Sequence, residues 1–198
     1  MRVAFFTVTA LAFTVCSEGA EIGAETESAS QSDFWVVDMD QSRLGFTAVQ
    51  AGDSITGAFG DFSAAIRFDP DHLEGATIDV SVDMKSARTG DRQRDLALPG
   101  KEWFYAKRYP AAHFVSSDVA LVGDDAYEAR GTLTIRDVSK DVVLPFTLAM
   151  EGDEARAEGA LTLMRIDYGV GQGGEWDTEQ WVDFEVRVDF AVTAHRAS

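Results

Sequence analysis

Val182-Asp183-Phe184-Glu185-Val186-Arg187-Val188-Asp189-Phe190-Ala191-Val192 is the stretch that decides the fold. Val182, Phe184, Val186, Val188, Phe190 and Val192 take every second position, with Asp183, Glu185, Arg187 and Asp189 between them. Side chains of a strand alternate between two faces, so this pattern makes one dry face and one wet face, whereas a helix would scatter the same residues around its circumference. Ile78, Val80, Val82 and Met84 repeat the alternation against Thr77, Asp79, Ser81 and Asp83. Fainter versions run over 44–48, 59–68, 114–122, 127–135, 142–150 and 155–163. Between them stand Ala51-Gly52-Asp53, Asp69-Pro70-Asp71, Gly123-Asp124-Asp125, Asp137-Val138-Ser139 and Glu151-Gly152-Asp153, residues that form turns readily. About eight strands at hairpin spacing predict an all-β fold, an extended antiparallel β-barrel whose closure removes its edges.

One long connection interrupts the meander. It carries Arg94-Asp95, Leu98, Trp103-Phe104 and Tyr109-Pro110-Ala111, and ends at Phe114. Long ordered connections usually serve a function, and an aromatic-rich one reads as a cap over a barrel mouth. The helical candidates are a short piece at 95–98 and a turn at 101–106. Adjacent Arg94 and Asp95 are expected to form an ion pair that pins the cap. The same region holds Lys85, Arg88, Arg92, Arg94, Lys101, Lys107 and Arg108 against Asp91, Asp95 and Glu102, a basic island in a chain of net charge −17. It reads either as a solvated loop or as a contact for an anionic head group or membrane surface. The overall charge argues against nucleic acid, whose phosphates require Lys and Arg neutralisation.

Several positions of inward parity are small. Ala129 and Gly131 precede Leu133, and Ala155, Ala157 and Gly159 precede Leu161, with Ala48 and Ala64 adding more. A barrel filled by its own side chains needs bulk opposite such gaps, and a barrel that holds a ligand can leave them small. Phe46, Phe59, Phe62, Phe68, Phe114 and Phe146 supply candidate bulk.

The N-terminal run 3–15 is apolar and uncharged, too short to span a bilayer as a helix and suited to a signal peptide. The expected organisation is a signal peptide over 1–19, an acidic disordered tether over 20–32 and a barrel over 33–196, which places the protein in the periplasm or outside the cell. Cys16, the single cysteine, ends the apolar run, so the body has no disulfide, and either acylation at Cys16 or plain cleavage fits. His72, His113 and His195 lack the spacing of metal ligands, and no metal is expected. Ser116-Ser117-Asp118 beside His113 lacks a strand-to-helix nucleophile elbow, so no catalytic residue is assigned. Gly169-Val170-Gly171-Gln172-Gly173-Gly174 precedes Trp176, Trp181 and a strand rather than a helix, and reads as a flexible hairpin connection in which Trp176 covers a ligand at the rim.

The chain resembles the YceI-like family of secreted isoprenoid-binding proteins from about 34 to 194. The resemblance rests on Trp35-Val36-Val37-Asp38, Ser42 with Phe46, Gly57-Ala58-Phe59, Phe68-Asp69-Pro70, Arg94-Asp95 with Leu98, Trp103-Phe104, Tyr109-Pro110-Ala111 with Phe114, Gly131-Thr132-Leu133-Thr134-Ile135, Val142 to Phe146 and Arg165-Ile166-Asp167-Tyr168-Gly169-Val170-Gly171. It implies a lipocalin-like barrel around the long tail of a prenyl quinone or polyprenyl carrier, with that lipid as ligand, no other cofactor and no catalysis. Gln50 and Ala97 stand where the family typically has histidines. Gln50, Trp103 and Gly171-Gln172-Gly173 are closer to a subgroup associated with membrane cytochrome b proteins, which implies a membrane cytochrome partner as the alternative role. With the pattern and the resemblance together, the expected ligand-lining residues are Phe46, Phe59, Trp103, Phe114, Leu133 and Trp176, with Arg94 and Asp95 holding the cap. The oligomeric state stays open between monomer and homodimer.

Overall fold

The computed structural model describes residues 33–197; the expected signal peptide, Cys16 and the acidic tether lie outside them. The strands are β1 Phe34–Gln50, β2 Asp53–Phe59, β3 Phe62–Arg67, β4 Thr77–Asp83, β5 Ala87–Arg88, β6 Ala111–Leu121, β7 Ala126–Ile135, β8 Val138–Glu151, β9 Glu154–Met164 and β10 Val182–Arg196, with one α-helix among the described residues, α1 Arg92–Ala97. All ladders are antiparallel, and β10 pairs back onto β1 from Trp35↔Arg196 to Gln50↔Val182, which closes the barrel. β2 pairs the second half of β1 at Leu44↔Phe59, and β3 pairs its start at Phe34↔Arg67. These two therefore share one place in the wall, β5 is a two-residue extension beside β2, and the circuit has eight staves.

The structure refines the expected strands where the alternation is poor. β1 is 17 residues long, far longer than 44–48, because it carries an irregularity between Asp38 and Arg43 that resets its register against β10 and breaks the period of two. The expected strand 59–68 divides at Gly60-Asp61 into the end of β2 and β3. The turn expected at Asp137-Val138-Ser139 begins one residue earlier. Ile135 pairs with Val138, leaving Arg136-Asp137 as a two-residue loop with Arg136 at φ 59°. Such loops need positive φ at their first position to match strand twist, a conformation that costs a residue bearing a Cβ.

One end of the barrel is sealed by rings from its own walls. Trp35, Phe68, Tyr127 and Phe146 are all buried there with Val119, Ala129, Ala155 and Ala194. Tyr127 stacks on Phe146 at 5.4 Å and meets Phe68 edge-on at 5.5 Å, and the Trp35 indole Nε1 donates to the Phe68 carbonyl at 2.9 Å. At the opposite end lie residues 89–110, which form the cap, and residues 165–181, which join β9 to β10.

Candidate functional site

Between the two ends lies a cavity of about 310 Å³. The strands present to it the side chains of one parity. Leu44, Phe46 and Ala48 come from β1 and Val186, Val188 and Phe190 from β10, with matching sets from the other staves. The lining is aliphatic and aromatic apart from Arg165 and Tyr168. The volume falls at the lower end of the range, roughly 300–1,000 Å³, typical of small-molecule sites.

Only some of the small inward residues make this space. Ala48, Ala64 and Ala157 line the cavity directly, while Ala129 and Ala155 belong to the sealed end. The glycines do not leave room for a guest. A Cβ on Gly57 would lie 2.2 Å from Phe46 Cζ, one on Gly131 2.9 Å from Phe114 Cε2, and one on Gly159 2.7 Å from the Phe190 ring. Each glycine thus lets a neighbouring phenylalanine lie flat against the wall, an arrangement that protects the bare backbone. The expectation that Gly131 and Gly159 mark vacancy is corrected accordingly.

Of the residues expected to line the interior, Phe46, Phe59, Trp103, Phe114 and Leu133 do so. Trp176 does not. It lies half-buried behind Trp103, ring centroids 5.2 Å apart, and its Nε1 donates to Glu102 Oε2 at 3.0 Å. Sequence adjacency to a rim loop could not reveal that another tryptophan already occupies the inner layer. Phe46, Phe59 and Phe104 form a file of rings at 5.3 and 6.0 Å under the cap, where Met84, Ala106 and Ala112 are buried with them.

The cap owes its shape to its acidic side chains. α1 begins at Arg92, earlier than 95–98, because Asp91 is its N-cap and accepts from Gln93 N and Arg94 N. Arg94 and Asp95 form no ion pair with each other; both turn to Thr89. Asp95 Oδ1 accepts from Thr89 N at 2.6 Å and Thr89 Oγ1 at 2.8 Å, and Arg94 Nε donates to that same hydroxyl at 3.2 Å. Donation from Arg94 N holds the Asp91 carboxyl below its ordinary pKa, and donation from Thr89 N does the same for Asp95. Gln50 ends β1 and Ala97 ends α1, and neither lines the cavity.

Arg165, which the sequence reading passed over as a site residue, organises the 165–181 connection. The residue is 4% exposed. Nε donates to Asp183 O at 3.0 Å, Nη2 to Val182 O at 2.8 Å and Trp176 O at 3.0 Å, and Nη1 to Val170 O at 3.2 Å and to Gly171 O. Five carbonyls thus take the five N–H groups of the guanidinium, leaving none for a ligand. Burial lowers the pKa of this group, opposed by Glu179, Asp177 and Asp183. The Trp103 and Phe184 rings lie 5.7 and 5.2 Å from its carbon. Gly171, at φ 64°, must be glycine here, because a Cβ would come within 2.6 Å of Arg165 Nη1 and 2.9 Å of Trp103. The connection expected to be a flexible hairpin is instead wrapped around a buried cation. The signal was present: Arg165 continues the inward parity of Leu161 and Leu163.

Cap and connection are tied together. Gln172 N donates to Glu102 O at 3.1 Å, and Arg136, on its positive-φ turn, reaches Gly169 O and, at 3.4 Å, Trp103 O. Tyr109 Oη donates to Asp137 Oδ2 at 2.8 Å from the cap side. The histidines stand apart. His72 lies 3.0 Å from Asp69 and His195 3.9 Å from Asp38, while His113 lies in β6; among the described residues no cluster suits a metal ion.

The model of the YceI-like domain matches residues 35–194. The chain belongs to the YceI-like family. A UPF0312 protein of Pseudomonas putida is 27% identical over 190 residues, covering 93% of this chain and 95% of the relative. The crystal structure of Burkholderia cenocepacia BcnA superposes with a TM-score of 0.76 at 34% identity, covering 79% of this chain and 98% of that one. A polyisoprenoid binding domain from Saccharophagus degradans, implicated in plant cell wall breakdown, shares the fold at a TM-score of 0.67 and 16% identity, covering 82% and 98%. The YceI-like barrel here is therefore a known architecture, and the content of its cavity is the functional question.

Proposed function

We propose that this YceI-like protein binds the apolar tail of an isoprenoid lipid, such as a prenyl quinone or a polyprenyl carrier, within its barrel and carries or sequesters it in the periplasm. The observation that carries the reading is the cavity wall. Its two lining groups with ionisable atoms are Arg165, whose donors are all committed, and Tyr168, whose phenol is held neutral as burial pushes its pKa up. That wall suits hydrocarbon and offers no nucleophile or base, so the protein acts as a binder rather than a catalyst. The Saccharophagus degradans domain of the same fold, described as polyisoprenoid binding, supports the ligand class. The apolar run 3–15 supports export.

The energetics are adequate. At about 0.8 kcal/mol per buried CH₂, a five-carbon isoprene unit contributes on the order of 3–4 kcal/mol gross. Association costs roughly 4–15 kcal/mol, so a few buried units suffice and the head group is secondary to affinity. Organic extraction of freshly purified protein followed by mass spectrometry should yield a prenyl lipid, and delipidated protein should take up ubiquinone. Ala64→Leu with Ala157→Leu fills the cavity and should lower quinone affinity by at least about 100-fold, with a stability change of no more than about 1–3 kcal/mol. Unchanged affinity in a folded double variant would place the lipid elsewhere.

A further inference from the structure

We propose that the cap is a docking surface for an anionic phospholipid bilayer, with Leu96 entering the interface between the cap's basic side chains. This goes beyond lipid binding in the cavity and does not require it. On the barrel walls, basic side chains other than Arg187 are neutralised locally: Arg43 pairs with Asp189, Arg67 with Asp33, Arg130 with Glu128, Lys140 with Asp167, Arg156 with Glu154 and Arg196 with Asp153. Among the described residues, none of Lys85, Arg88, Arg92, Arg94, Lys101, Lys107 and Arg108 forms an ion pair.

The reason lies in the three acids of the same segment. Asp91 caps α1, Asp95 accepts from Thr89, and Glu102 accepts from the Trp176 indole. Their lone pairs serve N–H and O–H donors of the cap and of the adjoining connection and hold the shape of this end, so the positive charge is left facing water. Six of the seven cations are exposed, Arg94 being half-buried. Leu96 is 73% exposed, the most exposed large apolar residue described, and it follows Arg92 by four positions on the same side of α1. An aliphatic side chain among long flexible cations suits the head-group boundary of a bilayer, where basic side chains meet anionic lipid and apolar ones enter the acyl region. A protein partner would instead need a shaped surface of about 1,000 Å² and oriented hydrogen bonds; only Arg88, Arg94 and Arg108 of the seven cations are held, by carbonyls, the Thr89 hydroxyl and the Tyr109 ring, and Lys85, Arg92, Lys101 and Lys107 offer no such template. The adjoining connection bears Glu175, Asp177 and Glu179, with Asp183 just beyond it in β10, so the cap end has a basic half and an acidic half, and an anionic surface tips the barrel onto the basic half.

Flotation of residues 20–198, which carry the whole barrel but neither Cys16 nor the apolar run 3–15, tests the proposal without an anchor of either kind. Vesicles of phosphatidylcholine with about 30% phosphatidylglycerol should retain the protein at low salt and release it as salt rises, while pure phosphatidylcholine retains much less. Each basic residue near such a surface raises partitioning roughly fivefold, so Arg92→Gln, Lys101→Gln and Lys107→Gln together should lower it about 100-fold. These side chains have no partners whose loss would unfold the cap. Leu96→Ser should lower partitioning about tenfold at any salt concentration. Equal retention on both vesicle types, a triple variant that partitions like the parent, or binding to polyglutamate with no vesicle preference would overturn the assignment. Quinone content measured on the same samples separates this outcome from failure of the cavity reading.

Discussion

At the sealed end, Trp35, Phe68, Tyr127 and Phe146 come from strands or the residue just beyond one, and they hold one another by ring contacts and a single indole hydrogen bond. At the cap end, the covering residues come from two connections, and apart from the Trp103–Trp176 ring contact what joins them is polar: Arg165 to five carbonyls, Gln172 N to Glu102 O, Trp176 Nε1 to Glu102, and Arg136 to both connections. The difference shows which end can open. Rings rooted in the sheet separate only if the barrel itself comes apart, whereas loops joined by hydrogen bonds open locally, with water replacing each lost partner. Guest exchange is therefore expected at the cap end.

The largest test of this contrast is Trp35→Ala, expected to cost about 3–5 kcal/mol of global stability in urea unfolding, because it removes a buried ring and its hydrogen bond from the seal. A loss below about 1 kcal/mol would make the two ends equivalent. Arg165→Met comes next. It strands buried carbonyls at about 1–3 kcal/mol for each that water cannot reach, and hydrogen exchange should show the loss concentrated in 165–182 rather than in the strands. Trp176→Ala should cost only about 1 kcal/mol, since Trp103 keeps the inner layer, yet it should speed release of bound quinone in stopped-flow exchange; an unchanged rate would move the exit away from this end.

Acid should produce the smallest effect and leave the sealing rings themselves untouched. The folded pKa values of Asp91 and Asp95 are lowered, so their contribution is fully present above the unfolded carboxylate value of about 4 and is lost as pH falls through the lowered values. Amides of α1 should then exchange faster while those beside Trp35 and Tyr127 hold, because Tyr127, the one titratable member of the sealing cluster, has its pKa raised by burial and stays neutral in acid.

The barrel was legible in the chain because period-two alternation is a local property. Val182 to Val192, Ile78 to Met84 and the turns at Ala51-Gly52 and Gly152-Asp153 identify strands without reference to one another. Where the backbone is irregular, in β1 between Asp38 and Arg43 and at Gly60-Asp61, the period fails and so did the expected boundaries. Phe46, Phe59, Phe114 and Leu133 were found through strand parity, and Trp103 through its place in an aromatic loop. Arg165 was overlooked because it stands where β9 gives way to the connection, and Trp176 was misplaced because it lies within that connection, where strand parity gives no direction.

The sequence by itself determined the strands, their inward faces, the basic cap and the family. Each of these is written in the spacing or identity of neighbouring residues. Only the tertiary structure decided that Ala48, Ala64 and Ala157 border open space while Gly57, Gly131 and Gly159 are covered by rings, that Asp95 serves Thr89 rather than Arg94, and that Arg165 gathers five carbonyls. Void volume and hydrogen-bond choice depend on what the facing staves and loops bring to the same place, and that sum over distant segments is not contained in any local pattern.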